Sequence, residues 1–426
     1  MKIGFLTSEY FAYKTDNGKL IPSNLHGGFG YLSRQKCEEF AKRGHEVHVF
    51  MPARNFLPQT VPGNAKESKE YIIEINKVVV HLFTTTNESH HSFVNLLSQN
   101  FLPMSKEESW IRNVLNEYPV DIYQTEEPDV SSLIASHLNE NQVVVFQDPY
   151  DDNDIHLQKT ARARYRKYLG LSLSRFYPEN SFTVALYYRK NIKRTRNLTT
   201  RLIGNLQERN IFAAAEFIGE KVQRMYGLSH SPDFLPNPTY VPMKIPEKSS
   251  KPFILFLARW DPVKRIDIAL ETARRLPEYD FYFVGSPSKN PIVERIAAVL
   301  RMRYNKYPNI HFLGFIDESV KEKLLSQTWI MLNTSVREGL PAIFLEAMAN
   351  GACIVSSVNP DHYSDKFGVF VQDDNFVSAI NAAVRKRLHE TKGKNGYRHV
   401  KKVHSTEIVI DRHLQIYRDI LLSHEK

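Results

Sequence analysis

Short apolar runs, separated by stretches in which apolar residues return every three or four positions, recur along this chain. In its first part the runs are KIGFLTS, HEVHVFMP, YIIEI, VVVHLF, VDIYQT and VVVFQD. Runs of this length predict buried strands, and the wider spacing between them predicts amphipathic helices. The first helix, from about Tyr31, puts Cys37, Phe40 and Ala41 on one face. It is stopped by Gly44, since glycine takes the left-handed C-terminal conformation at no steric cost.

The pattern restarts after PNPTYVPMKIPEKSS, a proline-rich, charged stretch that reads as an exposed linker near residues 238–251. Strands FILFLAR, YDFYFVGS, IHFLGFI, WIMLNTS and CIVSSV then alternate with helices IDIALETARRL, PIVERIAAVLRMRY, VKEKLLSQ, AIFLEAMAN and FVSAINAAVRKRL. Strict alternation of this kind predicts parallel α/β units rather than hairpins. With 426 residues, more than one core usually organises, the expectation is two doubly wound domains facing one another across a cleft, 1–243 and 252–404. Ligands of such sheets bind beyond the carboxyl ends of strands, so motifs just after strands carry the chemistry.

Composition changes this picture little: 42% hydrophobic and 24% charged residues are ordinary for a globular protein. The two cysteines, Cys37 and Cys353, are far apart, which argues for a reducing compartment and for core packing rather than disulfides. No signal-like leader and no apolar run of membrane-spanning length is present, so a cytoplasmic protein is expected. Charge does matter. The chain carries +9, yet Lys159 to Arg209 alone holds thirteen basic residues against Glu179 and Glu208. Interleaved with tyrosines, as in RARYRKYLGLSLSRFY, that segment suits an anionic partner: nucleic acid, a membrane surface at its inner face, or an anionic acceptor.

The chemistry concentrates in SVREGLPAIFLEAMANG, which follows the strand WIMLNTS. Proline at the start of a helix costs nothing, because that amide would be unpaired in any case. The free amides near Gly339 and Leu340, backed by the helix dipole, form an anion site. Glu338 lies in the turn and Glu346 inside the helix, roughly 7 to 8 Å further along its axis at about 1.5 Å per residue. The two are either solvated charges or the two ends of one site for a diphosphate flanked by sugars. Carboxylates repel a diphosphate, so cations are needed, and FLARWDPVKRID offers Arg259 and Lys264 after another strand.

These motifs resemble those of the retaining GT-B glycosyltransferases, in particular the large fourth family of the glycosyltransferase classification. The family signature EGxPxxxLEAMAxG stands here as EGLPAIFLEAMANG, and its arginine and lysine five apart as Arg259 and Lys264. FVGS with Gly285, and FLGFI with Gly314 and Ile316, match the parts that line the nucleotide base. GGFGYLSRQKCEEFAKRGHEVHVF matches the family's glycine loop and first helix, and Asn237-Pro238 the end of the first domain. The final helix, within 405–426, looks like the one that crosses back onto that domain.

The resemblance implies a retaining hexosyltransferase that uses a nucleotide-sugar donor as substrate, with no cofactor and no metal. It assigns Glu346 to the ribose hydroxyls and Glu338 to the donor sugar. Arg259, Lys264 and the amides of Gly339 and Leu340 go to the departing diphosphate. Gly27, Gly28 and Gly30 let the facing loop approach the donor. The acceptor stays open among a glycan, a lipid-linked group and a small molecule; the basic segment suggests peripheral contact with an anionic membrane, and no nucleic acid is expected.

One departure stands out. Where many members have a histidine in a TxHD pattern, this chain has FQDP, with Gln147 before Asp148. A glutamine still hydrogen-bonds a sugar hydroxyl but cannot change charge, and Asp148, Glu126 and Glu127 are the nearest acids in the chain. Asp152-Asn153-Asp154 is a DxD of the metal-dependent glycosyltransferase fold and is read as a loop acid cluster instead. GGFG lacks the third glycine of a dinucleotide fingerprint, and MPAR rather than an acid ends the second strand, so NAD-dependent oxidoreduction is set aside. The remaining alternatives are a nucleotide-sugar-binding module without turnover and a basic nucleic-acid or membrane-surface protein.

Overall fold

The computed structural model of the chain describes residues 1–7, 10, 12–16, 19–23, 28–52, 70–83, 105–168, 182–287 and 291–423. They form two compact units. One comprises Met1–Gln147, Arg194–Pro238 and Thr406–Lys426; the other comprises Asp148–Lys193 and Thr239–Ser405.

The first unit holds β1 (Lys2–Leu6), β2 (Ala12–Asp16), β3 (Lys19–Ser23), β4 (Glu46–Pro52), β5 (Glu70–Ile75), β6 (Val78–Phe83), β7 (Ile122–Thr125), β8 (Gln142–Phe146), β9 (Ile211–Ala213) and β10 (Asp233–Phe234). Its main sheet has the order β10-β9-β8-β7-β1-β4-β6-β5, parallel except for β5 against β6. Strand order reverses between β1 and β7, the topological switch of a Rossmann-like sheet. One apolar layer of this sheet, with Ile3, Phe5, Val47, Val49 and Val80, packs on Cys37 and Phe40 of helix Gly28–Lys42 and on Ile410, Leu414 and Tyr417 of helix Thr406–Ser423. Gly44 ends the first helix at φ +83°.

The second unit holds β11 (Phe253–Leu257), β12 (Asp280–Val284), β13 (Ile310–Gly314), β14 (Ile330–Asn333), β15 (Cys353–Ser356) and β16 (Gly368–Phe370). All are parallel in the order β13-β12-β11-β14-β15-β16, with the switch between β11 and β14. The central strands β11, β14 and β15 are buried almost throughout, which is why they read as continuous apolar runs rather than alternating ones. Cys37 and Cys353 are free thiols packed in the two cores.

Two features depart from the expectation of parallel units alone. β2 and β3 pair as an antiparallel hairpin, and in the sequence Asn17-Gly18 lies between them, the dipeptide of a two-residue turn. β5 and β6 form a second hairpin through Asn76 and Lys77, both at positive φ (51° and 67°), as a type I′ turn requires.

The segment Asp148–Lys193, left with the first domain in the sequence reading, belongs to the second unit. Its helix Asp152–Arg164 ends in Arg164, whose Nε donates at 2.8 Å to buried Asp267, and Tyr165 enters the core around Trp260 and Phe281. A charged anchor of this sort has no signature in local periodicity.

Gly285, just beyond β12, sits at φ +113°, and a Cβ there would lie 2.0 Å from the Ala258 carbonyl oxygen. Gly285→Ala therefore forces the ends of β11 and β12 apart. We expect a loss of about 2–4 kcal/mol in chemical denaturation, above the ~1 kcal/mol of an ordinary strained glycine replacement.

Candidate functional site

At the switch point of the second unit, the segments leaving β11 and β14 are bonded together. Val336 N donates to Val263 O at 2.9 Å, Thr334 Oγ1 to Lys264 O at 2.7 Å, and Arg265 Nε to Thr334 O at 2.5 Å. Arg265 takes φ +48° between the 3₁₀ turn Pro262–Lys264 and helix Ile266–Arg274, and its guanidinium also reaches Asp374 at 2.8 Å. This stitching brings Lys264 onto Glu338: Nζ lies 2.6 and 2.7 Å from the two carboxylate oxygens. Ser335 Oγ at 2.5 Å and Asn333 Nδ2 at 3.2 Å donate to Glu338 Oε1 as well.

Burial alone would raise the Glu338 pKa. The Lys264 charge and these hydrogen bonds outweigh it and hold the carboxyl below its ordinary value. Glu338 is thus an ionised, multiply bonded group and not a proton carrier near neutral pH.

Helix Ala342–Ala349 opens from Pro341, which is its N-cap, one position earlier than a first helical residue. Leu340 is buried, Gly339 is partly buried, and Glu346 is the fifth residue of the helix. Glu346 does not stand alone: Lys321 Nζ lies 2.6 Å from its Oε1 and 2.8 Å from Glu318. Arg259 lies two residues past β11, 64% exposed in its side chain, and pairs with Asp261. Gly285 N donates to Gly314 O at 2.7 Å, so the ends of β12 and β13 run together, with Gly314 at φ +67° and Ile316 half-buried just after it.

The first unit has a polar centre of its own beyond β7 and β8. Lys36, fully buried on helix Gly28–Lys42, places Nζ 2.8 and 2.9 Å from Glu126 and 3.0 Å from Asn237 Oδ1. Gln147 exchanges amide bonds with Asn237, at 3.1 and 2.6 Å, and its Nε2 also donates to Glu126. Gln124 links Glu126 to His413 and Tyr417 of the last helix. Of the acids near Gln147 in the chain, Glu126 is taken by Lys36, Glu127 accepts from Gln147 N at 3.1 Å, and Asp148 lies in the second unit. Gly28 and Gly30 form the first turn of their helix, and Gly27 lies outside the described residues.

The DxD motif is folded into helix geometry. Asp154 is the N3 residue of helix Asp152–Arg164, sharing a capping box with Asp151, and it lies 2.8 Å from Arg337 Nε. Among the described residues, no group of three or more potential metal ligands is gathered, and no helix is long and apolar enough to cross a membrane. Of the basic segment, Lys193 and Arg201 on helix Phe182–Asn205 are exposed, and part of it lies outside the described residues.

Residues 251–390 match the family model of the glycosyl transferases group 1. Across the whole chain the fold is GT-B. Sucrose-phosphate synthase from Thermosynechococcus elongatus superimposes with a TM-score of 0.69 at 15% identity, covering 99% of each chain. HepE of Anabaena, solved in complex with UDP-glucose, gives 0.63 at 12% identity over 99% of each chain. WaaG, a glycosyltransferase involved in lipopolysaccharide biosynthesis, gives 0.62 at 15% identity over 97% of this chain and 99% of its own. No curated protein sequence matches the chain significantly.

Sequence reasoning had named Arg259, Lys264, Gly285, Ile316, Glu338, Gly339, Leu340 and Glu346, all of which lie in the second unit, the first two and Glu338 to Leu340 on the stitched segments. It missed their partners: Ser335, Asn333, Lys321 and Arg265. Ser335 and Asn333 flank the motif in sequence and were open to notice; Lys321 comes from the helix Glu318–Gln327 and carries no local signal.

Proposed function

We propose that the chain is a retaining, metal-independent glycosyltransferase that moves a hexosyl group from a nucleotide-diphosphate sugar to an acceptor hydroxyl. The observation that carries this is Lys264 held on ionised Glu338 at the β11/β14 switch, inside the region that matches the glycosyl transferases group 1 model. When the anomeric C–O bond breaks, its electron pair goes to the diphosphate, and the charge that grows there needs fixed positive partners. A lysine ammonium has three donors, so two bonds to Glu338 leave one for a phosphate oxygen.

Arg259, exposed and on a short tether to Asp261, supplies the second cation, and the amides of Gly339 and Leu340 at the helix start supply the remaining donors. Glu338 orients Lys264 and meets the hydroxyls of the donor sugar. Glu346 takes the ribose, exchanging its bond with Lys321 for hydroxyl donors. Chain cations thereby serve where a metal ion would otherwise be required. UDP-glucose, the ligand held by HepE, is the first donor to try.

For the acceptor, the basic residues between Lys159 and Arg209 favour an anionic molecule, such as a lipid diphosphate met peripherally at the inner membrane face of the cytoplasm, over nucleic acid.

A thermal-shift screen of nucleotide sugars followed by donor hydrolysis tests the reading. A donor at about 100 times its dissociation constant adds about 2.7 kcal/mol of stability. Stabilisation with hydrolysis supports transfer; stabilisation with no turnover on any acceptor favours a binding module, and no stabilisation by any nucleotide sugar refutes both.

A further inference from the structure

Arg337 stands between Val336 and Glu338 in the motif, yet its guanidinium is given to a different segment. Nη1 donates to Asp148 Oδ2 at 2.6 Å and Nη2 to Asp148 Oδ1, while Nη2 also reaches the carbonyls of Asp148 at 3.2 Å and Pro149 at 3.4 Å. Nε lies 2.8 Å from Asp154 Oδ1, and the guanidinium carbon sits 3.7 Å from the centroid of the Tyr150 ring. The Arg337 side chain is only 7% exposed and that of Asp154 only 9%. A planar fork bonded through both terminal nitrogens to Asp148, ion-paired to Asp154 and set against the Tyr150 ring admits one orientation, unlike a lysine in the same place.

The residues on either side of Arg337 are bound to the candidate site. Val336 N is bonded to Val263 O, and Glu338 holds Lys264. Movement of Arg337 therefore moves Glu338. We propose that Arg337 is a positioning residue: by fastening residues 148–154 to the loop 335–340 it preorganises Glu338 and Lys264 for the departing diphosphate. The role rests on the glycosyl-transfer reading. Its expected signature is a loss of rate rather than of nucleotide affinity, since a shift of about 1 Å in a catalytic group costs up to about a hundredfold in rate.

The test compares Arg337→Gln with Arg337→Gln/Asp154→Asn, because the single variant also removes the cation beside the buried Asp154 carboxylate, which keeps its bond from Asp151 N, and lowers stability for reasons unrelated to position. We expect Arg337→Gln to lower kcat for nucleotide-sugar turnover by at least about tenfold. The Kd for uridine or guanosine diphosphate, whichever binds the unaltered chain, should move less than about threefold, and amide exchange in 148–154 and 335–340 should quicken. The double variant should recover the melting temperature but not kcat. A single variant with unaltered kcat, or a double variant that recovers kcat along with Tm, overturns the proposal. Absence of nucleotide binding and turnover in the unaltered chain instead overturns the glycosyl-transfer reading on which it rests.

Discussion

Lys264→Ala should lower nucleotide-sugar turnover by about 10²–10³-fold, the usual cost of removing one preorganised donor from a developing negative charge. The fold should survive. The Lys264 and Glu338 side chains are 24% and 11% exposed, and Glu338 keeps the bonds from Ser335 and Asn333. The stability cost should be about 1–2 kcal/mol, below the 3–5 kcal/mol of breaking a fully buried pair.

A second readout is independent of turnover. The Glu338 pKa is depressed in the folded chain, so its contribution to stability is present above the unfolded carboxyl value of 4.5 and is lost as pH falls through the folded value. In Lys264→Ala, burial is no longer opposed by the lysine and the pKa rises, so that increment shrinks or reverses. Urea denaturation of both chains between pH 7 and pH 3 measures it. A variant that turns over donor at the unaltered rate would show that the diphosphate is neutralised elsewhere.

Lys36→Met should cost the most in stability, about 3–5 kcal/mol. The Lys36 and Glu126 side chains are 0% and 1% exposed, so the variant leaves a carboxylate in the interior with amide donors and no cation. The damage extends beyond the pair. Gln147 and Asn237 are arranged on Glu126 and Lys36, and Gln124 carries the arrangement to His413 and Tyr417. Adding Glu126→Gln to Lys36→Met removes the stranded charge and should restore more than half of the lost stability. Denaturation midpoints decide it, and a single variant within about 1 kcal/mol of the unaltered chain would mean that water or a neighbouring donor replaces Lys36.

Much of the architecture was legible along the chain because strands buried on both faces leave unbroken apolar runs, as β11, β14 and β15 do. β16 and β9, three residues each, are too short to register as runs, and the hairpin of β2 and β3 was overlooked although Asn17-Gly18 marked it. The motif was legible for a different reason: a strand end, a turn and a helix start are built from consecutive residues, and consecutive residues are what a sequence displays.

Partners were not. Gln147 looked like a group open to substrate, yet it is 8% exposed and its amide is engaged with Glu126 and Asn237, the latter 90 positions away. Arg337 was not singled out in the motif, and the first of the acids it holds, Asp148, lies 189 positions earlier.

By itself the sequence determined two series of parallel α/β units, the turn at Gly339 that opens a helix and the kinds of charge gathered after the strands, since each of these arises between residues near one another along the chain. Only the tertiary structure decided which charge meets which, Lys264 with Glu338 across 74 positions and Lys321 with Glu346 across 25, because pairing depends on which strand ends the sheet order brings together. A hydrogen bond needs its partners within about 3.2 Å and a screened charge pair weakens over about 10 Å, and separation along the chain carries no record of separation in space.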